Sequence, residues 1–214
     1  GLGLVKGEVF VVLEEEDIEA YARKIKSPWL VEDLQYRVEL IDRKGRLAKV
    51  EKRTWLKALE PGLQHYPHQI RADGRTEAIE VIPGKKLSEE QKLGGVDVVQ
   101  VFDPPFSFHE SREVVLRFNW VDAFRNEVEY LVHFVRFPHK GRTRIEVIFP
   151  KDRPYKQYEI YRGGVAGEVS LLQGGLELEK KKPEEGRGKD GRSILHWEIE
   201  NPPHRERYRL VWAW

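Results

Sequence analysis

The sequence has 214 residues, and its 37 Lys and Arg side chains almost balance 36 Asp and Glu, leaving a formal net charge of +1. A charge this close to zero gives no large single-sign field to attract nucleic acid or an anionic membrane. The absence of cysteine excludes disulfides, thiolate metal ligands and cysteine nucleophiles, and is typical of a reducing compartment. No apolar run approaches the roughly 20 residues of a transmembrane helix, so we expect a soluble, cytoplasmic protein.

Glutamate is abundant, whereas small polar and thermolabile side chains are scarce. Glu occurs 27 times, but Asn, Thr and Ser occur only 3, 3 and 6 times. This balance is typical of heat-adapted proteins, and we expect a prokaryotic source. The sequence begins at Gly1 and contains no methionine, so we expect either a trimmed start or a piece of a longer protein.

The first prominent element is an amphipathic helix predicted over residues 14–26, preceded by a short strand at 8–13. Its apolar side chains recur at the spacing of one helical face: Ile18, Tyr21, Ala22 and Ile25. Acidic residues in the first turn and lysines in the last suit the helix dipole, and Pro28 ends the helix. We expect it to lie across one end of a β-sandwich.

After this helix the period of the pattern changes to two, which is typical of strands with one buried and one exposed face. Turn signals separate the predicted strands, which span 34–41, 46–57, 76–82, 96–102, 113–121, 127–137, 143–149, 155–162, 167–172, 176–181, 193–200 and 207–213. About a dozen strands and one helix favour a mainly-β protein, an antiparallel sandwich of immunoglobulin-like or jelly-roll type. A closed barrel is the alternative, and the lack of crossover helices excludes a parallel α/β fold.

The domain organisation has two interpretations. In the first, residues 1–214 form a single sandwich domain with two sheets. In the second, a seam at 103–105 separates a helix with a small β module, residues 1–103, from an immunoglobulin-like module, residues 104–214. The charged, glycine-rich segment 180–192 has no apolar side chain, and we predict a hairpin tip there.

No arrangement of residues predicts a catalytic or metal site. His65 and His68 are the only close histidine pair, and we interpret them as loop histidines because Pro67 prevents a helix from presenting both to a metal ion. The Gly-x-Gly-x-x-Gly pattern at 186–191 precedes a strand, whereas a dinucleotide site needs a helix. The chain also lacks a Gly-x-Ser-x-Gly elbow. We therefore predict no catalytic residue, no metal ligand and no cofactor.

The best candidate binding surface is basic and aromatic, and it is centred on the predicted turn at 136–144. Basic residues also alternate with aromatic ones in 151–156 and 203–209. Trp212 and Trp214 share one face of the last predicted strand, where they would form either core or, if exposed, a partner surface. Together with these tryptophans, the predicted partner-binding residues are Arg136, His139, Lys140, Arg142 and Arg144.

The C-terminal part of the chain resembles the ends of certain accessory β-sandwich domains. The resemblance rests on segments 194–203 and 208–212, and on the strand end at 149–150 followed by 153–154. Such uncharacterised modules stand beside effector or regulatory domains in bacterial signalling and defence proteins. The resemblance implies a noncatalytic domain that acts with a protein partner, and it assigns no functional residue.

These observations leave three functional hypotheses. The leading one is a noncatalytic β-sandwich interaction or sensing module that acts with a protein partner or within a larger assembly. The second is a carbohydrate-active enzyme on a jelly-roll scaffold, which would need only two of the 36 acidic side chains as its catalytic pair. The third is a nucleic-acid-binding module that uses the basic turns at 136–144 and 203–209.

Overall fold

The computed structural model describes residues 15–163, 177–178 and 183–214. Across those residues the chain forms one helix and fourteen strands. In chain order these are α1 (Glu15–Lys24), β1 (Trp29–Leu40), β2 (Leu47–Ala58), β3 (Leu63–Arg71), β4 (Arg75–Ile82), β5 (Lys85–Lys92), β6 (Gly95–Phe106), β7 (Ser111–Val121), β8 (Val128–Phe134), β9 (His139–Ile148), β10 (Gln157–Gly163), β11 (Glu177–Leu178), β12 (Glu184–Arg187), β13 (Ser193–Glu200) and β14 (Arg207–Ala213).

The strands form three sheets. A seven-stranded sheet has the order β12-β13-β9-β1-β2-β7-β4, a four-stranded sheet the order β11-β10-β14-β8, and a three-stranded sheet the order β3-β6-β5. Neighbouring strands are antiparallel except β1 and β9, which run parallel. The predicted mainly-β sandwich with one N-terminal helix is therefore confirmed, with a third sheet and one parallel pair that the alternation of side chains did not reveal.

Both smaller sheets pack on the same face of the seven-stranded sheet. Tyr36 and Val38 of β1 join the main core, which includes Leu210 of the four-stranded sheet. Leu34, two residues earlier on the same strand, joins a second core with Phe102 of the three-stranded sheet. Because residues at i and i+2 of a strand share a face, the two cores lie side by side under one sheet. Burial of each such large side chain contributes roughly 1.5–3 kcal/mol.

The opposite face of the seven-stranded sheet carries paired charges. One row of cross-strand neighbours alternates acidic with basic side chains from edge to edge, namely Glu80, Arg117, Glu51, Arg37, Glu146, His196 and Glu184. Within this row, Nε of Arg117 lies 2.7 Å from a carboxylate oxygen of Glu51, and Nε of Arg37 lies 3.4 Å from Glu146. Opposite charges across neighbouring strands favour this register, although each exposed pair contributes only about 0–1 kcal/mol.

The helix lies at one end of the seven-stranded sheet, as the sequence predicts. Ile18 and Ala22 on its apolar face pack against Leu30 at the start of β1 and Leu59 after β2. On its polar side, Nζ of Lys57 lies 3.3 Å from the carboxylate of Glu19. In the described part of the chain, no helix is long and apolar enough to cross a membrane.

Several segments differ from their predicted structure. Strands β3 and β5 were not predicted, and the histidines interpreted as loop residues lie on β3. The predicted turn at 136–144 is strand β9 from His139 onward. Strand β12 lies inside the predicted tip and pairs with β13. The Asp-Pro-Pro seam at 103–105 lies within β6, and the seven-stranded sheet combines strands from both sides of it. The predicted strands at 8–13 and 167–172 lie outside the described residues, as does most of 176–181.

Candidate functional site

The structure places two of the predicted partner-binding cations in ion pairs. Arg144 on β9 donates a hydrogen bond of 2.8 Å from Nη2 to Asp33 on the neighbouring strand β1. Arg142 lies 3.6 Å from the other carboxylate oxygen of Asp33 and 3.6 Å from Glu198 on β13. The basic segment 136–144, predicted as a turn, is strand β9 from His139 onward, and it is partly neutralised by acids that are distant in the chain.

The other predicted cations of this turn are enclosed to different degrees. Arg136 is half-buried, burial lowers its pKa, and its guanidinium lies 5.6 Å from the ring of Phe137. His139 is buried, and burial lowers its pKa to about 4, so it is neutral at pH 7. Lys140 is half-buried on the same strand. Binding of a partner by these residues stays a prediction.

The two C-terminal tryptophans lie in the main core. Trp212 is 1% exposed and Trp214 is 3% exposed. The ring of Phe149 contacts both, with centroid distances of 5.6 and 6.2 Å respectively. Of the two readings of this pair, the structure therefore supports core packing, because neither indole presents a surface to a partner.

A cleft of about 760 Å³ opens beside Trp214, and we call it the basic cleft. Its lining comprises six cations and few other side chains, namely Arg43, Lys44, Arg46, Arg125, Asp152, Arg153, Pro154, Lys156 and Trp214. The cations come from the β1–β2 turn, from the β7–β8 loop and from the segment after β9. Within the described ranges, none of the six has a carboxylate at ion-pair distance, in contrast to the paired charges of the seven-stranded sheet.

One arginine of the basic cleft is held in place by neutral partners. The guanidinium of Arg153 lies 3.8 Å from the ring of Trp214, within the range of a cation–π contact. Its Nη1 donates to the carbonyl oxygen of Arg43 at 2.7 Å, and the indole Nε1 of Trp214 donates to the carbonyl oxygen of Asn126 at 2.8 Å. These contacts orient Arg153 without neutralising its charge, and a guanidinium has five N–H donors to share.

The backbone holds the cleft's two loops tightly together. Gly45 in the β1–β2 turn has φ of +65°, and a Cβ there would lie 1.6 Å from the carbonyl oxygen of Phe124. The amide of Phe124 donates to the carbonyl of Gly45 at 3.3 Å, and the amide of Asp122 donates to Arg46 at 2.8 Å. The carboxylate of Asp42 accepts hydrogen bonds from amides of its own turn. Arg46 and Arg125 therefore extend from loops of fixed geometry.

A second group of polar side chains lies between the sheets. Lys52 on β2 is paired in register with the buried Tyr36, so it faces the cores, and its Nζ lies 4.4 Å from the ring centroid of that tyrosine. Burial lowers the Lys52 pKa to about 8. Burial also lowers the pKa of His133 to about 3 and that of His68 to about 4. The His68 Nε2 lies 2.8 Å from Oε1 of Gln100, which assigns the proton to Nε2.

The chemistry available to this Lys52 group is limited. An amine with a pKa near 8 is partly neutral at pH 7–8 and could act as a base or nucleophile. The two neighbouring histidines are neutral at that pH because of their lowered pKa values. The shifts come mainly from burial, which is also the ordinary consequence of packing a polar residue between sheets. Over the described residues, no three His, Asp or Glu side chains are grouped to hold a metal ion.

Sequence reasoning missed the basic cleft. Its cations are separated by up to about a hundred residues, so no local pattern brings them together. Residues 151–156 were recognised as basic and aromatic, and they supply Arg153 and Lys156 to the cleft. The long-range meeting of these segments depends on the fold.

Comparison with known proteins establishes a shared fold and no family. No family model and no curated protein matches the sequence. The crystal structure of a "putative protease" from Parabacteroides distasonis matches 88% of this chain with a TM-score of 0.55 and 10% identity, and the match covers 41% of that protein. An M1 zinc metallopeptidase from Deinococcus radiodurans matches 86% of this chain with a TM-score of 0.48 and 11% identity, covering 42% of that protein. The chain thus spans less than half the length of these structures.

Proposed function

We propose that this chain is a noncatalytic β module that acts together with a catalytic partner. The observation that carries the proposal is the structural match to the Parabacteroides distasonis protein, in which this three-sheet fold makes up less than half of a longer chain. In that protein the matched part stands beside a remainder of more than half the chain, and we infer an analogous partner for this chain. Because the longer protein is described as a "putative protease", a peptidase is the first class of partner to test.

The placement of the perturbed side chains supports this proposal. Catalytic acids and bases are commonly found where burial and a specific charged partner shift their pKa inside a cleft. Here the lowered pKa values of Lys52, His68 and His133 come mainly from burial between sheets, whereas the basic cleft is lined by cations. Such an arrangement fits a binding module better than the carboxylate pair that glycoside hydrolysis needs.

The test is capture followed by reconstitution. The immobilised chain is exposed to an extract of its source organism, the captured protein is identified and purified, and the complex is re-formed from the two pure components. We expect a complex of fixed stoichiometry in which the partner's turnover of its substrate differs from that of the partner alone.

The chain alone is assayed in parallel against peptide and glycan substrate panels. We expect no turnover. Turnover that disappears on substitution of a single Asp or Glu of this chain would overturn the proposal and would establish an enzyme.

A further inference from the structure

We propose that the basic cleft is a binding site for a small compound that carries two or more phosphate groups. The site is formed by side chains of this chain alone and does not depend on the partner proposed above. Its failure would therefore leave the partner hypothesis untouched, and a failed partner search would leave this site untouched.

The basic cleft has a local excess of positive charge. The whole chain is nearly neutral, yet the lining of the basic cleft holds six cations and a single acid, Asp152. Elsewhere in the described structure, arginines such as Arg117 and Arg144 lie beside carboxylates. Six cations grouped around one lining acid repel one another, and a multiply charged anion would relieve that repulsion.

The hydrogen-bond donors of the basic cleft suit phosphate groups. Four of the six cations are arginines, whose planar guanidinium groups can donate two parallel hydrogen bonds to one phosphate. Arg153 is already held by Trp214 and by the carbonyl of Arg43, so binding costs less side-chain entropy there than at a free surface arginine. The close contact of Gly45 with Phe124 fixes the loops that carry the other arginines.

The size of the basic cleft favours a small ligand over a nucleic acid. A volume of about 760 Å³ lies within the range of small-molecule sites, roughly 300–1,000 Å³. A nucleic acid needs a positive track along a whole face, whereas the charged face of the seven-stranded sheet alternates in sign. Trp214 is buried beneath Arg153 and offers no free ring for stacking a base.

The experiment is isothermal titration calorimetry of the chain with orthophosphate, pyrophosphate and tripolyphosphate at constant ionic strength. We expect saturable binding with one site per chain, and an affinity that increases with the number of phosphate groups. Raising the NaCl concentration should weaken binding, because five of the six cations are solvent-exposed. No saturable binding of tripolyphosphate at millimolar concentration would overturn the proposal.

Paired variants locate the site. The double variant Arg46→Glu/Arg125→Glu reverses two cations whose side chains make no hydrogen bond within the described structure, and we expect at least tenfold weaker binding of tripolyphosphate. The neutral pair Arg46→Gln/Arg125→Gln should lie between this variant and the unmodified chain. The matched control Lys24→Glu/Lys85→Glu makes the same change in charge at exposed positions outside the cleft, and it should bind within twofold of the unmodified chain.

Thermal unfolding of every variant confirms that it is folded before titration. If the glutamate pair does not fold, the glutamine pair is titrated in its place. Equal weakening in the cleft and control variants would overturn the proposal, because binding would then follow net charge alone. A final arm titrates a 20-nucleotide single strand. Tighter binding of that strand than of tripolyphosphate, lost in the cleft variant, would also overturn the proposal in favour of a nucleic-acid site.

Discussion

Replacement of Lys52 by methionine should stabilise the protein at neutral pH. The ammonium group of Lys52 faces the cores between the smaller sheets, and burial lowers its pKa from the ordinary value of 10.5 to about 8. Methionine keeps the unbranched length of the side chain and removes the charge. Its thioether adapts to irregular gaps in a core, so the change should introduce little strain.

The magnitude follows from the difference between the two pKa values. At about 1.4 kcal/mol per pKa unit, a shift from 10.5 to about 8 corresponds to roughly 3 kcal/mol of unfavourable free energy when the amine is charged in both states. Solvent reaches part of the side chain, and the substitution also removes the contact of Lys52 with the ring of Tyr36. We therefore expect a net gain in the free energy of unfolding of about 2 kcal/mol at pH 7.

The stabilisation by Lys52→Met should depend on pH. Between about pH 8 and 10.5 the unfolded chain binds a proton at Lys52 that the folded chain does not, so the free energy of unfolding of the unmodified protein rises with pH in this interval. Above it both states are neutral and the penalty is absent. The advantage of Lys52→Met should therefore be constant below pH 8 and should shrink as the pH approaches 10.5.

Urea unfolding at pH 7, 9 and 10.5 measures this effect, with m-values compared to confirm that the unfolded state is unchanged. Lys49→Met is the matched control, because Lys49 is exposed on the opposite face of the same strand and its replacement should change stability by less than about 0.5 kcal/mol. Equal or lower stability of Lys52→Met at pH 7, or an advantage that persists at pH 10.5, would refute the reasoning.

Three further predictions concern the core, the cleft and acid stability. Gly45→Ala should lower the free energy of unfolding, measured with urea, by about 3 kcal/mol because of the clash with the neighbouring loop. Gly62 also has a positive φ but open space around it, so Gly62→Ala should lower the free energy of unfolding by only about 1 kcal/mol. Trp212→Ala should lower the free energy of unfolding by about 3–5 kcal/mol because the indole is buried. Trp55→Ala should lower it by less than about 1 kcal/mol, because that side chain is 44% exposed. Equal losses in the two variants would contradict the burial of Trp212. The pKa of His133 is about 3 in the folded protein and 6.5 in the unfolded chain, so the free energy of unfolding should fall as the pH drops below 6.5. At pH 4.5, the variant His133→Phe should retain about 3 kcal/mol more of its neutral-pH stability than the unmodified protein in melting experiments. Identical pH profiles of the two proteins would contradict this.

The alternating pattern of the sequence predicted most strands of the seven-stranded sheet. Strands such as β2 and β7 bury alternate side chains over much of their length, and their predicted and observed bounds agree within two residues. The pattern failed at β5, whose eight side chains are all exposed, because hydrophobic periodicity reports burial rather than hydrogen bonding. Strand β3 was missed for a related reason, since its histidines and Pro67 are typical of loops.

The candidate sites could be predicted only in part, because they depend on contacts between distant segments. The basic character of 136–144 was recognised, but the turn predicted there is strand β9 from His139 onward, and its neutralisation by Asp33 requires the parallel pairing of β1 with β9. The basic cleft requires the meeting of Arg43, Arg125 and Arg153, which no local pattern records. Pairing between strands that are far apart in sequence therefore decides which charges remain free.

The most direct test of the proposed function is native mass spectrometry of this chain mixed with the purified protein that it captures. We expect a complex whose mass is the sum of the 25.1 kDa chain and its partner, at fixed stoichiometry across concentrations. Separate masses of the chain and the other protein throughout the concentration range would contradict it.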